Sequence, residues 1–148
     1  MTARFQPDLE PSVDRVLVVE DSPVTCTFIR RTLERVGVNV TIAATGERAL
    51  ELAAREPFDL FLLDLSSTDF KATEVCRGLR NDLGAQDIPV MFVTGETTAA
   101  ATDEALRLGA VDVIRKPLQT VDFLARVLGS LPQQSGGVAD TLNWVTNR

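Results

Sequence analysis

The chain has 148 residues, a formal net charge of −6 and no histidine, so a Ser-His-Asp or Cys-His nucleophile and a histidine zinc site are excluded within it. Two cysteines are too few for an all-cysteine metal site, and the acidic balance disfavours non-specific nucleic-acid binding. The length suits one domain, and no signal-peptide core or membrane-span-length apolar run is present, so we expect a soluble cytoplasmic protein without membrane or direct DNA contact.

Five short apolar runs predict strands that are buried on both faces of a sheet. They are Arg15–Val19, Val38–Ala43, Asp59–Leu63, Pro89–Val93 and Val111–Ile114. Each run is separated from the next by a segment with helical spacing. This alternation predicts an α/β fold, a doubly wound parallel sheet of five strands with helices on both faces.

The helical segments have apolar residues three, four and seven positions apart. The inward-facing positions predicted for the last three helices are Ala72, Val75, Cys76 and Leu79, then Ala101, Ala105 and Leu108, then Val121, Leu124, Ala125 and Leu128. Ser22-Pro23 predicts the start of the first helix, and Gly37 and Gly109 predict helix ends. Both Cys26 and Cys76 are expected to pack as core residues.

Polar side chains follow the predicted strands. Glu20-Asp21 comes after the first strand, Asp64 after the third, Thr94 after the fourth and Lys116 after the fifth. If the first and third strands are neighbours, three carboxylates meet at one edge, and their repulsion needs a divalent cation and Lys116 to offset it. A carboxylate so placed is equipped to accept a phosphoryl group, with Asp64 as nucleophile and Thr94 as a hydrogen-bond donor.

This order of residues resembles the receiver domain of two-component response regulators over about residues 14–131. The matching segments are VLVVEDSP, LFLLDLS, PVMFVTG and the GAVDVIRKPL block. The resemblance implies a flavodoxin-like (βα)5 fold with strand order 2-1-3-4-5. It also implies that Asp64 is the phosphoacceptor, Thr94 the switch hydroxyl and Lys116 the lysine that contacts the phosphoryl group. The implied magnesium ligands are Glu20, Asp21, Asp64 and the backbone carbonyl of Ser66.

The resemblance further implies the partners. A sensor histidine kinase or a histidine phosphotransferase would supply the phosphoryl group from its own phosphohistidine, and a downstream protein target would read the result. A homodimer is possible. The chain would catalyse only its own phosphorylation and dephosphorylation, and would not otherwise be an enzyme.

Two departures from the family pattern keep an alternative open. Thr68 and Ala72 stand where the loop after the phosphoacceptor usually has proline and glycine, and Val113 replaces the usual aromatic before the lysine. A pseudo-receiver, an interaction module not switched by phosphate, is the main alternative. A flavodoxin-like cofactor binder is disfavoured by the missing phosphate-loop glycine, and a haloacid-dehalogenase-type phosphatase by the lack of an Asp-x-Asp after the first strand.

We expect three segments along the chain. Residues 1–13 form an extension, 14–131 the receiver domain, and 132–148 a linker with a short tail helix that carries Trp144. No recognisable output domain fits after residue 131, so we expect a stand-alone receiver that signals by protein contact.

Overall fold

The computed structural model describes residues 13–66, 71–95 and 99–132. Strands and helices alternate throughout these ranges. Their bounds are β1 Arg15–Val19, α1 Pro23–Glu34, β2 Asn39–Ala43, α2 Gly46–Arg55, β3 Leu60–Asp64, α3 Ala72–Arg77, β4 Val90–Thr94, α4 Ala99–Arg107, β5 Asp112–Arg115 and α5 Thr120–Gly129. The observed strand bounds differ from the predicted ones by no more than one residue at either end.

The sheet has the order β2-β1-β3-β4-β5, and all four strand pairs are parallel. Successive residues of a strand point to opposite faces, so one strand supplies two cores. Val16 and Val18 of β1 pack with α1 and α5, whereas Leu17 and Val19 pack with α2, α3 and α4. Both faces are therefore covered by helices, which explains why the strands are apolar almost throughout. The predicted fold class and strand order are confirmed.

The predicted start and ends of the helices are found where the sequence places them. Ser22 caps α1 by accepting a hydrogen bond from the backbone N–H of Thr25, and Pro23 is the first helical residue. Gly37 and Gly109 both have φ +86°, in the left-handed region that favours glycine, and each follows a helix.

The predicted inward face of α5 is wrong in two positions. Val121 is 48 % exposed and Ala125 is only half-buried, whereas Leu124 and Leu128 are buried as predicted. The remaining buried positions of the helix are Phe123 and Val127. The Phe123 ring meets that of Phe28 on α1 edge-on, with centroids 5.7 Å apart. The larger aromatic side chain has more apolar surface to remove from water, so its face turns inward.

The third helix continues beyond α3 as a π-helical segment, Gly78–Asp82. A Cβ on Gly78 would lie 2.9 Å from Leu50 Cδ2, so a larger residue here would require the Leu50 side chain on α2 to shift. The Arg80 guanidinium then donates hydrogen bonds to the carbonyls of Ala85, Gln86 and Ile88 and holds the loop before β4. The predicted inward residues of this helix are all buried, and Ala105 of α4 is buried as well.

Both ends of the described chain lie at the amino edge of the sheet, where the strands begin. Asp14 directly precedes β1, and its carbonyl accepts a hydrogen bond from Asn39 at the start of β2. After α5, Leu131 and Pro132 line a cavity with Phe58 and Pro89, which precede β3 and β4. Thr68, the side chain of Ala101 and the predicted tail with Trp144 lie outside what the structure describes.

Candidate functional site

Three carboxylates meet at the carboxyl edge of the sheet. Glu20 directly follows β1 and Asp64 ends β3, and these two strands are neighbours in the sheet. Glu20, Asp21 and Asp64 each offer a carboxylate oxygen, and these atoms lie within 4.8 Å of one another. Glu20 and Asp64 are buried, whereas Asp21 is half-buried. The convergence predicted from the strand ends is therefore present.

Lys116 is the cation that the structure places against this cluster. Its Nζ lies 3.2 Å from Glu20 Oε1 and 3.4 Å from Asp64 Oδ2. Its backbone N–H donates a 2.8 Å hydrogen bond to the carbonyl of Thr94, and the peptide bond to Pro117 is cis. The pairing of β4 with β5 thus fixes the position of the Lys116 backbone beside Thr94. One ammonium group offsets part of the charge of two buried carboxylates.

Ser66 donates two hydrogen bonds to Asp64. Both its backbone N–H, at 2.9 Å, and its hydroxyl, at 2.7 Å, donate to Asp64 Oδ1. Gly95 donates its N–H to the same hydroxyl at 3.5 Å. The sequence analysis assigned a role only to the Ser66 carbonyl and missed the hydroxyl. An Asp followed two residues later by a serine is the signal that could have indicated it, because such aspartates hydrogen-bond backbone two residues on.

The pocket separates the pKa values of its two buried carboxyl groups. Burial, reinforced by the neighbouring Asp64, raises the pKa of Glu20 from 4.5 to about 7. Burial also acts to raise the pKa of Asp64, but hydrogen bonds involving Glu20 and Ser66, together with the Lys116 charge, lower it below its ordinary value. Near neutral pH the proton of this carboxyl pair therefore lies on Glu20. Asp64 is ionised, as a carboxylate has to be to act as a nucleophile.

The donor set fits a magnesium ion. All three side chains offer carboxylate oxygens, which Mg²⁺ prefers, and the partly exposed Asp21 leaves access for the waters that it keeps. Glu20 Oε1 is buried and has no hydrogen bond, although Lys116 lies at ion-pair distance. Two buried carboxylates share the single Lys116 ammonium, so part of their charge is left without compensation. A divalent cation would supply the remaining charge.

Thr94 and Gly95 complete this edge beside Asp64. The N–H of Leu65 donates to the carbonyl of Val93 at 2.8 Å, which sets Thr94 next to the residues that follow β3. Thr94 is buried, whereas Gly95 is exposed. A Cβ on Gly95 would meet Ser66 Oγ at 3.9 Å, an ordinary contact. The space beside Ser66 is therefore open on the Gly95 side.

Val113 and the two cysteines, which the sequence analysis singled out, lie in different surroundings. Val113 is half-buried, pairs with Phe92 across β4 and β5, and packs on the core cluster beneath α2, α3 and α4. Cys76 is buried as predicted, but Cys26 is only half-buried, with its Sγ 3.5 Å from the carbonyl oxygen of Glu20. Burial raises the pKa of both thiols, so neither is an activated nucleophile.

An apolar cavity that sequence reasoning missed adjoins the carboxylate pocket. It has a volume of about 470 Å³ and is lined by side chains from α1 and from the loop after β5, with Lys116 common to it and the carboxylate pocket. The other lining residues are Val24, Thr25, Phe28, Pro117 and Leu118. Val24, at the start of α1, is 80 % exposed beside this cavity.

The family model for the response regulator receiver domain matches residues 16–128. The chain belongs to this family. Transcriptional regulatory protein KdpE of Mycobacterium tuberculosis is 38 % identical over 112 residues, which cover 76 % of this chain and 48 % of that protein. Response regulator ArlR of Staphylococcus saprophyticus is 32 % identical over 120 residues, covering 81 % and 53 %. This receiver therefore spans about half the length of these curated relatives.

Solved structures agree with the family assignment. The chemotaxis protein CheY4 of Vibrio cholerae superimposes with a TM-score of 0.76 at 26 % identity, covering 81 % of this chain and all of that one. A CheY-like receiver domain protein of Methanospirillum hungatei gives 0.75 at 28 % identity, covering 84 % and 98 %. Both similarities confirm the fold of the receiver. Within the described residues, no helix has the length and apolar character needed to cross a membrane.

Proposed function

We propose that this receiver accepts a phosphoryl group from a partner's phosphohistidine onto Asp64, with Mg²⁺ in the acidic pocket. The observation that carries the proposal is the Lys116 ammonium between the carboxylates of Glu20 and Asp64, in a pocket where three carboxylate oxygens lie within 4.8 Å. Such an arrangement suits a cationic ligand, because three carboxylates close together repel one another until a cation offsets their charge.

The transfer step needs little from the protein beyond position and charge. An Asp64 carboxylate oxygen bonds to phosphorus as the bond from phosphorus to the donor nitrogen breaks, and the imidazole leaves with that electron pair. The Lys116 ammonium offsets charge on the phosphoryl oxygens, and the Thr94 hydroxyl donates a hydrogen bond to one of them. Because Asp64 is the ionised member of its carboxyl pair, no prior deprotonation is required.

Glu20, Asp21, Asp64 and the carbonyl of Ser66 would hold the magnesium ion. When bound, the ion neutralises charge that develops on the phosphoryl oxygens. The support is the oxygen-only donor set and the two buried carboxylates that share the single Lys116 ammonium.

A phosphohistidine donor has to come from outside this sequence, which contains no histidine. We propose that the histidine kinase or phosphotransferase packs an apolar helix into the cavity beside Val24 and Phe28. This cavity shares Lys116 with the carboxylate pocket, so a helix seated there brings its phosphohistidine to the edge where Asp64 lies. The most exposed large apolar side chain of the described residues, Val24, is then covered on binding.

We propose that the receiver itself signals through protein contacts and not by touching DNA, in keeping with its net charge of −6. The name of one relative, transcriptional regulatory protein KdpE, describes a whole protein of which this chain matches about half. A pseudo-receiver is the second candidate, and Val113 favours it, because a valine offers no large ring to move when the pocket is occupied.

Incubation with acetyl phosphate and MgCl₂, followed by intact mass measurement, tests the proposal. The wild type should gain the mass of one phosphoryl group, and Asp64→Asn should gain none. Asp103→Asn is the matched control, because Asp103 is an exposed aspartate on α4, and it should behave as the wild type. Equal gain by Asp64→Asn rejects the assignment of the acceptor, and no gain by the wild type favours the pseudo-receiver.

A further inference from the structure

A cavity lies at the amino edge of the sheet, at the opposite edge from the carboxylate pocket. It has a volume of about 350 Å³ and is lined by the loop before β3, the loop before β4 and the residues at the end of α5. Phe58 and Leu131 in its lining are buried, whereas Ile88 and Pro89 are half-buried. Cavities of about 300 Å³ and more are large enough to bury a ligand-sized group, so this one has room for an aromatic side chain.

Two aspartates also line this cavity and place hydrogen-bond acceptors among its apolar residues. Asp59 Oδ2 accepts a 2.8 Å hydrogen bond from the N–H of Arg15, and Asp87 is exposed. An ionised carboxylate accepts hydrogen bonds and does not donate them. The cavity therefore suits an occupant that has both apolar surface and an N–H donor, and the indole ring of tryptophan has both.

The chain leaves the receiver domain at this cavity. The N–H of Leu131 donates to the carbonyl of Leu128 at the end of α5, and Pro132, the next residue, lines the cavity. Half of the residues in the segment 138–145 that follows are large and apolar, namely Val138, Leu142, Trp144 and Val145. So short a segment has no stable helix of its own and needs a surface to pack on. Trp144 follows Pro132 by twelve residues, and a flexible chain of that length spans roughly 20 Å, which allows the indole to reach back to the cavity.

We propose that residues 138–145 of the same chain dock in the cavity at the amino edge, with the indole of Trp144 as its main occupant. The burial of one aromatic side chain corresponds to a dissociation constant on the order of 0.1–1 mM, which a second copy at micromolar concentration would not satisfy. A segment tethered at the rim of the cavity has an effective concentration on the order of millimolar. The tether therefore selects the segment of the same chain. The proposal does not depend on phosphoryl transfer, because Asp64 lies at the other edge of the sheet.

Fluorescence of the full chain tests this docking, because Trp144 is the single tryptophan and the sequence has no tyrosine. The measurements are the emission maximum and the quenching constant with acrylamide. Ile88→Ser removes an apolar side chain that lines the cavity. Ile42→Ser is the matched control, because Ile42 is also a half-buried isoleucine but lies on β2, outside the lining of the cavity. Ile88→Ser should raise the quenching constant about two- to fivefold over the wild type and shift the emission to longer wavelength, and Ile42→Ser should change neither.

Three results would overturn the docking. A wild-type quenching constant equal to that of the chain unfolded in urea would mean that Trp144 is exposed. An effect of Ile88→Ser no larger than that of Ile42→Ser would mean that the shielding does not depend on this cavity. A quenching constant that falls as the protein concentration rises would place a second copy in the cavity. Ser130→Glu, at a half-buried position in the same lining, should repeat the effect of Ile88→Ser, and it decides the question if circular dichroism shows that Ile88→Ser is unfolded.

Discussion

Replacing Glu20 by glutamine should stabilise the receiver at neutral and alkaline pH. Glu20 is 1 % exposed, and burial together with the nearby Asp64 raises its pKa from 4.5 to about 7. A raised pKa means that the folded state holds the ionised carboxylate less favourably than the unfolded chain does. The difference, 7 − 4.5 = 2.5, corresponds to about 3 kcal/mol of unfavourable free energy above pH 7.

The pH dependence has a definite direction. Below pH 4.5 both states carry the proton and the penalty is absent. Between pH 4.5 and 7 the unfolded chain releases its proton while the folded protein keeps it, so the wild type loses stability as the pH rises. Glutamine has no proton to release. Asp64, whose pKa is lowered, has its effect at more acidic pH, below its ordinary value of 3.8.

Urea unfolding at pH 5 and pH 8 without divalent cations measures the effect. The gain in free energy of unfolding of Glu20→Gln over the wild type should be about 2 kcal/mol larger at pH 8 than at pH 5. The pKa of Glu20 already includes the attraction of Lys116, so the loss of that ion pair needs no separate correction. Glu104→Gln is the control, because Glu104 is exposed on α4, and it should show no such difference.

A gain that is the same at both pH values would refute the argument that Glu20 carries the penalty. Magnesium provides a second comparison. At ten times its Kd, Mg²⁺ should stabilise the wild type by about 1.4 kcal/mol, and it should stabilise Glu20→Gln less because one ligand is weaker. Equal stabilisation of the two proteins would remove Glu20 from the ligand set.

Two further predictions concern the fold. Phe123→Ala should lower the free energy of unfolding by about 3 to 5 kcal/mol, because it empties a buried site against Phe28, whereas Val121→Ala, on the exposed face of α5, should change it by about 0.5 kcal/mol or less. Equal losses of stability in the two variants would support the inward face that the sequence predicted, with Val121 turned towards the core. Arg80→Ala should lower the free energy of unfolding by roughly 2 kcal/mol in the same urea assay, because three backbone carbonyls lose their hydrogen-bond donor. Arg77→Ala is the control, because Arg77 is exposed, and an equal or larger loss in this control would contradict the role of Arg80.

The strands were predictable because a parallel sheet covered on both faces leaves little room for polar residues. The five runs of apolar residues were found to within one residue, and their polar ends marked one edge of the sheet. Which ends meet depends on the strand order, and periodicity does not contain that information. The order 2-1-3-4-5 came from the family resemblance, and the contact of Glu20 with Asp64 depends on it.

Other features depend on contacts that no local pattern encodes. On α5, two overlapping faces satisfy helical spacing, and the packing of Phe123 against Phe28 decides between them. The π-helical segment after Arg77 follows the spacing of an ordinary helix as far as Leu79, so the sequence gives no warning of it. The hydrogen bond from the Ser66 hydroxyl to Asp64 depends on the path of the chain after β3.

The positions of Asp14 and Pro132 at the amino edge have a consequence for how the domain can be joined to others. Five residues of strand, roughly 17 Å, separate that edge from Asp64, the proposed phosphoacceptor. A segment attached at either end therefore leaves the domain at the edge opposite Asp64. Near its point of attachment, such a segment cannot contact a phosphoryl group bound to Asp64. A conformational change at Asp64 therefore has to be transmitted to such a segment through the sheet and its helices, or through a surface that extends around them.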